Sequence, residues 1–378
     1  MKKFAVLTSH PIQYLIPLFR ALDENKTIKT EIWFNNDFGD KPFFDPDFKT
    51  TIKWDIDLLH GYKGRLLKNI SPRPSTGFLG QINPGVIMLL LGRYKPDVMM
   101  IWGWNSITHL ITIVVAKLAG VKLLLRAETT LDYEIGLPLM KRLIKKFILR
   151  QLFRFFDGYL YLGQQNLKFY NYIGVPEEKL HFMPYCVSRY DPKMSIRLLD
   201  QFGRFIFVGK LSYKKRPDII IDAFQDLCNS YPDRDLKLTI VGDGEMRDEV
   251  IEKCNKNASA HYHGFANQSE LQALYKAHDV IILPSDERET WGLVVNEALS
   301  HGLAAITSDR VGCREDLIKE GKNGAIFSYG EKTALFNHMA AIINGEMNAD
   351  QIRQQNIEIA SIYNHDTGVK IITSLCHD

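Results

Sequence analysis

Cysteine is scarce and scattered: the 378 residues hold five, Cys186, Cys228, Cys254, Cys313 and Cys376, an odd number with no close pair. That argues against a disulfide framework and against a thiolate zinc site, and it suits a reducing compartment. Long apolar runs are also missing. No stretch approaches eighteen apolar residues, so none is expected to cross a bilayer. Between the opening lysines and Ser9-His10 only Phe4 to Thr8 is apolar, too short for the core of a signal peptide. The common phosphate and hydrolase signatures are absent: no Gly-x-x-x-x-Gly-Lys-Ser/Thr loop, no His-Glu-x-x-His, no Gly-x-Ser-x-Gly. Gly242-Asp243-Gly244 lacks the third glycine of a dinucleotide fingerprint. Three Asp-x-Asp matches, Asp45-Pro46-Asp47, Asp55-Ile56-Asp57 and Asp233-Arg234-Asp235, are no more than chance supplies in a chain of this length, and no metal is expected.

What the chain does have is an ordinary globular composition, 46% apolar and 24% charged, at a length where single cores split into two. Runs such as KKFAVLTS, TEIWFNN, DVMMIWGW, VKLLLRAE and GYLYLG alternate with helical stretches, and RFIFVG, LKLTIVGDG, AHYHGF, DVIILP, AAITSD and GAIF repeat the scheme. Short buried strands separated by helices give parallel sheets. The fold expected is therefore α/β, with two doubly wound parallel-sheet domains facing a cleft and ligands at the carboxyl ends of the strands. Residues 1–186 form the first and 203–378 the second; the linker, 187–202, falls in the stretch 181–203, which has two prolines, Pro184 and Pro192, and no clear period. The net charge of +3 is divided unevenly. Up to Cys186 there are 25 Lys and Arg against 16 Asp and Glu, so the first half is basic and the second acidic. A basic first half suits an anionic lipid, an anionic glycan or a nucleic acid.

In ETWGLVVNEALSHG, Glu289 and Glu297 stand eight residues apart. After the strand DVIILP, Glu289 falls in a loop and Glu297 about two turns inside a helix closed by Gly302. Amides of the first turn, around Thr290, Trp291, Gly292, Leu293 and Val294, suit a phosphate or sugar hydroxyl. A carboxylate can grip vicinal hydroxyls; two surface glutamates on an ordinary strand-loop-helix are the plain alternative. Together with RFIFVGKLSYKKRPDIIIDAF, LKLTIVGDGEMRDEVI, HYHGFANQSELQALYKAHDVIILPS and LAAITSDRVGCREDLIKEGKNGAIF, this block resembles the retaining nucleotide-sugar glycosyltransferases of family 4, or group 1, over residues 203 to 330. The resemblance implies a GT-B fold in which Lys210 and Lys215 hold the diphosphate, Gly264 lies beside the base, Glu289 meets the donor sugar and Glu297 the ribose. Lys210 stands where that family more often has Arg, and so lacks the bidentate fork. It also implies that the last segment of the helical tail crosses back to the first domain.

In the first half, Ser9-His10-Pro11-Ile12-Gln13-Tyr14 stands where the family has a glycine-rich turn; His10 and Gln13 would then line the cleft floor, the plain alternative being that His10 caps the loop. Trp102 and Trp104 end the DVMM strand as an aromatic pair suited to sugars or isoprenoids, or as caps on a core. Glu128 stands where the family often has His; beside Arg126, it is a candidate catalytic carboxylate or a strand-end residue satisfied by its neighbours. In LMKRLIKKFILRQLFRFF, residues 139 to 156, Met140, Leu143, Ile144, Phe147, Ile148 and Phe155 form an apolar stripe. Lys141, Arg142, Lys145 and Lys146 take the other side, with Arg150 and Arg154 on its flank. Such a helix can lie on an anionic membrane or pack on the sheet with its basic face in water.

These readings lead to an expected cytoplasmic enzyme, peripheral on the inner face of the cell membrane. It would move a hexose from a nucleotide diphosphate sugar, a UDP-sugar, to a hydroxyl of a lipid-linked surface glycan. The donor is a substrate, no cofactor is expected, and nucleic acid is not an expected partner. A sugar-nucleotide epimerase or hydrolase on the same fold, or a basic membrane- or nucleic-acid-binding module, remain as alternatives.

Overall fold

The computed structural model describes residues 1–39, 43–45, 50–52, 54–187 and 202–378. The expected linker falls outside the described residues except for its end residues Val187 and Phe202, as does Asp47 of the first Asp-x-Asp match. The chain divides into a first unit, Met1–Phe43, Ile56–Cys186 and His365–Asp378, and a second, Phe44–Asp55 and Val187–Asn364. Residues 44–55, counted with the first domain in the sequence, therefore group with the second. The strands run in chain order β1 (Lys2–Thr8), β2 (Ile28–Phe34), β3 (Phe43–Asp45), β4 (Thr50–Ile52), β5 (Gly64–Leu66), β6 (Val98–Trp102), β7 (Lys122–Arg126), β8 (Gly158–Tyr161) and β9 (Leu180–Phe182). They continue as β10 (Arg204–Val208), β11 (Lys237–Val241), β12 (Ala260–Gly264), β13 (Val280–Leu283), β14 (Ala304–Ser308) and β15 (Gly324–Phe327).

The first unit's sheet has the order β5-β2-β1-β6-β7-β8-β9, and the second's β12-β11-β10-β13-β14-β15; β3 and β4 pair separately. The pairings of both large sheets are parallel. Parallel strands are covered on both faces, which is why Val6, Leu7, Met99, Met100 and Ile101 in one unit and Ile281, Ile282 and Ile306 in the other are buried in succession rather than alternately. Each unit is thus built on a doubly wound parallel sheet. Among the described residues, no helix is long and apolar enough to cross a membrane.

Helix His365–His377 belongs to the first unit, where it packs on helix Ile16–Glu24 and on β1. Lys122 Nζ donates to the Leu375 carbonyl at 2.8 Å. Within the second unit, Asp55 accepts from the Ser269 amide at 3.0 Å and from its hydroxyl. It thereby satisfies a first-turn amide of helix Gln268–Lys276, whose N-cap residue Asn267 makes no side-chain cap bond, while Trp54 lies against Phe265, centroids 6.0 Å apart.

Helix Leu139–Phe153 differs from one of its two readings, a helix packed by its apolar stripe with a wet basic face. Only Leu149 and Phe153 are buried. Lys145 pairs with the buried Glu134, and the Lys146 ammonium sits 3.9 Å over the Tyr172 ring. The apolar stripe instead points outward: Met140 and Phe147 are 69% and 67% exposed, and Leu139, Leu143, Ile144 and Ile148 are exposed with them.

Candidate functional site

In an open parallel sheet, ligands gather outside the carboxyl ends of the strands where the strand order reverses. In the second unit the reversal lies between β10 and β13, which are neighbours. The loops that leave those two ends carry the expected site. Gly209 and Lys210 follow β10 directly, and Lys215 sits five residues further on; Glu289 stands in the loop after β13. Lys215 Nζ and Glu289 Oε2 form an ion pair in which the side chains are only 14% and 17% exposed. The backbone fixes the pair. The Lys215 amide donates to the Ser212 carbonyl at 2.8 Å, the Asp286 amide to the Lys214 carbonyl at 2.9 Å, and the Glu289 amide to the Asp286 carbonyl at 3.0 Å. Next to the pair, Arg216 has φ of +49°, and its guanidinium grips Asp218 at 2.9–3.1 Å. Lys210 is half-buried at the end of β10.

The loop after the next strand, β11, closes tightly on this one. The Gly209 amide donates to the Val241 carbonyl at 3.0 Å, the Leu211 amide to the Asp243 carbonyl at 2.8 Å, and the Gly242 amide to the Gly264 carbonyl at 2.8 Å. Gly242 has φ of +136°, and a Cβ there would stand 1.8 Å from the Gly209 carbonyl oxygen. Gly264 ends β12; among the described residues no atom lies within 4 Å of where its Cβ would be, leaving room for a flat ring.

Helix Leu293–Ser300 begins two residues later than expected, because Gly292 takes the left-handed conformation, φ +97°, and sets Trp291 outside it. Glu297 is thus its fifth residue, little more than one turn in. The Trp291 indole is core: Nε1 donates to Asn296 Oδ1 at 2.9 Å and the ring stacks on Tyr363 at 5.7 Å. Only the backbone of Trp291 is left to a ligand. Thr290, Leu293 and Val294 are half-buried, and the amides of this first turn have no carbonyl four residues back within the helix.

Glu297 is half-buried and accepts a hydrogen bond from the Tyr275 hydroxyl at 3.0 Å. Burial pushes its carboxyl up to about 7, against the pull of that hydrogen bond. A carboxyl that holds its proton more tightly folded than unfolded takes stability away as pH rises through the window between the two values. From the ordinary value near 4.3 to the folded one near 7, the loss is on the order of 3 kcal/mol. Glu297→Gln is therefore expected to flatten this decline: chemical denaturation at pH 5 and pH 8 will show a smaller pH difference in the variant than in the parent. Parallel profiles would mean that Glu297 titrates normally.

In the first unit the reversal lies between β1 and β6. Glu128, just past β7, accepts from the Trp102 indole at 3.0 Å and from the Tyr185 hydroxyl, both at Oε1. Burial, and next the Glu128 carboxylate, hold the Tyr185 and Tyr14 hydroxyls well above their usual range, so both remain donors. Arg126 is fully buried, its guanidinium 5.4 Å from the Trp102 and Tyr185 rings, and among the described residues its Nε and Nη2 have no hydrogen-bond partner. His10 shares a 2.8 Å hydrogen bond with Ser9, and burial pushes its imidazole down to about 4, so it is neutral at pH 7. Trp104 is not paired with Trp102. It packs on Phe153 at 5.5 Å and stacks on Phe169 at 6.2 Å.

The second unit thus brings Lys215 to Glu289, and the first brings Trp102 to Glu128. Sequence reasoning missed Tyr275 and Tyr185. Tyr275 lies in ELQALYKA, where its spacing reads as core, and Tyr185 lies in an irregular stretch with no period.

The family described as Glycosyl transferases group 1 matches residues 195–359. An uncharacterized glycosyltransferase of Methanocaldococcus jannaschii is 32% identical over 151 residues, covering 39% of this chain and 35% of that protein. The chain spans about a third or less of the length of the first curated relatives it matches. Among solved structures, that of Anabaena HepE in complex with UDP and glucose is similar over 100% of both chains, with a TM-score of 0.70 and 18% identity. The apo form of the lipopolysaccharide outer core galactosyltransferase WaaB is similar over 98% of both chains, with a TM-score of 0.67 and 16% identity.

Proposed function

We propose that this chain, a member of the glycosyl transferases group 1 through residues 195–359, moves a hexose from a uridine diphosphate sugar to a hydroxyl of a lipid-linked glycan, with retention of anomeric configuration. The observation that carries the reading is the Lys215–Glu289 pair at the strand reversal of the second unit. A cation within reach of a carboxylate matches the two halves of the donor. Lys215, with Lys210, offsets charge on the leaving diphosphate, and Glu289 orients the sugar hydroxyls. Glu297 takes the ribose diol and the open face of Gly264 the base. The UDP and glucose in the HepE complex support a uridine donor, and the name of WaaB supports a glycan acceptor.

In this reading the acceptor oxygen bonds to the anomeric carbon on the face from which the phosphate oxygen departs. The acceptor's proton passes to the leaving phosphate, so no protein nucleophile is needed. In the first unit, Glu128 has both of its donors on Oε1 and none on Oε2 among the described residues. Oε2 is suited to an acceptor hydroxyl, and Trp102 and Tyr185 hold the carboxylate still.

The test is incubation with UDP-hexoses and a lipid-linked glycan extract, followed by NMR of the product. A retained anomer, formed undiminished in the presence of EDTA, is the expected result. An inverted product, loss of activity on chelation with recovery on magnesium, or donor consumption that proceeds equally without acceptor would overturn the reading.

A further inference from the structure

Helix Leu139–Phe153 packs through Leu149 and Phe153 but turns a second, broad apolar face to solvent. At roughly 100° per residue, Leu139, Met140, Leu143, Ile144, Phe147 and Ile148 cover about half of its circumference, and all six are exposed. The side turned toward the unit buries Leu149 and Phe153, flanked by Lys145, which meets Glu134, and Lys146, which meets Tyr172. A contiguous apolar face of this size, left in water, marks an interaction surface. Its borders say what covers it. Lys141 stands at one margin and Arg150 at the other, with Arg154 just beyond the helix, all exposed, and residues 139 to 154 contain no acidic side chain. Protein interfaces are depleted in lysine and balance their charges across the contact. A bilayer with anionic headgroups asks instead for bulky apolar side chains between cations of one sign.

We propose that this helix seats the protein on an anionic bilayer. It lies in the plane of the surface, with the outward stripe in the acyl boundary and Lys141, Arg150 and Arg154 against lipid phosphates. The basic surplus of the first 186 residues, 25 Lys and Arg against 16 Asp and Glu, adds longer-range attraction. The proposal deepens the reading of a lipid-linked acceptor, although its observations are independent of the donor site.

The experiment is co-sedimentation of the full chain with vesicles of phosphatidylcholine alone or mixed equally with phosphatidylglycerol. UDP titration of each variant, without lipid, serves as a control. The parent is expected to bind the mixed vesicles and to be released as salt rises, because exposed charges are screened beyond about 8 Å at physiological ionic strength. Changing Leu143 and Phe147 together to Gln removes two membrane anchors and should weaken binding by about tenfold or more. Changing Lys141, Arg150 and Arg154 to Gln should abolish the preference for phosphatidylglycerol. Lys145 is left intact because it holds Glu134. UDP binding should be the same in all three proteins; its absence from all, with vesicle binding intact, would count against the donor reading alone. The proposal is overturned if the parent stays in the supernatant, if the Leu143/Phe147 variant binds vesicles as well as the parent, or if light scattering shows a lipid-free dimer that this variant abolishes, which would assign the face to a second copy of the chain.

Discussion

Glu289→Ala is expected to lower kcat/KM for hexose transfer by about a hundredfold or more, the loss of about 3 kcal/mol that follows removal of one preorganised group facing developing charge. The structure explains why the loss should be of chemistry rather than of fold. The loop is held by amide-to-carbonyl bonds that survive truncation: Glu289 to Asp286 at 3.0 Å, and Gly312 to the Glu289 carbonyl at 3.0 Å. UDP itself should bind the Glu289→Ala variant nearly as well as the parent, because the carboxylate is assigned to the sugar. Lys215→Ala should behave differently, weakening UDP as well as slowing transfer. It also leaves the Glu289 carboxylate mostly buried without its cation. If the two side chains work as a unit, the double variant will be little slower than the worse single one. Turnover by Glu289→Ala within a few-fold of the parent would remove Glu289 from the site.

Gly242→Ala should give the largest loss of stability for the smallest chemical change. Its backbone lies at φ +136°, a region that L-residues rarely enter, and the added methyl would stand 1.8 Å from the Gly209 carbonyl oxygen. The neighbour is backbone and the turn is shared with the Gly264 carbonyl, so the clash cannot be relieved by a rotamer. A cost of about 3 kcal/mol or more is expected, the range reached by overpacking combined with backbone strain. Thermal unfolding followed by tryptophan fluorescence should show the second unit melting earlier by roughly 6–12 °C, taking 2–4 °C per kcal/mol for a domain of this size. Because the strained turn lies between Gly209 and Gly264, UDP affinity should fall at temperatures where the variant is still folded. A melting curve superposable on the parent's would show that the β10 and β11 loops part easily.

The strands and their order were the most legible part of the chain. DVIILP and RFIFVG read as buried strands because parallel sheets demand unbroken apolar runs, and the carboxyl-end loops then follow from topology. Lys215 was singled out by the family resemblance rather than by pattern; the structure brings it to Glu289 because their loops leave the adjacent strands β10 and β13. Periodicity failed where two answers satisfy it equally. Residues 139 to 153 have an apolar and a basic side, and nothing in the spacing says which is turned inward; Leu149 and Phe153 decide it, and the stripe that looks like core is outside. Trp291 failed differently. The helix was expected to start there, but the left-handed Gly292 delays it and turns the indole into the core against Tyr363. Tyr185 and Tyr275 were hidden because a lone tyrosine in an irregular stretch or on an amphipathic helix carries no mark of the carboxylate it will meet.

Residues 44–55 group with the second unit, and residues 365–378 complete the first. The order in which the ribosome delivers the chain is therefore not the order in which its parts can finish. The first unit emerges early but waits, with β1 and helix Ile16–Glu24 lacking helix His365–His377, until all of the second unit has been made. The acceptor that Asp55 gives to the first turn of helix Gln268–Lys276 is conversely synthesised some two hundred residues before the helix that needs it. A unit folding as it appears, the common course for multidomain proteins, would here do so without a piece of its final structure. Cutting between Cys186 and Val187 would separate each half from a piece of its own structure.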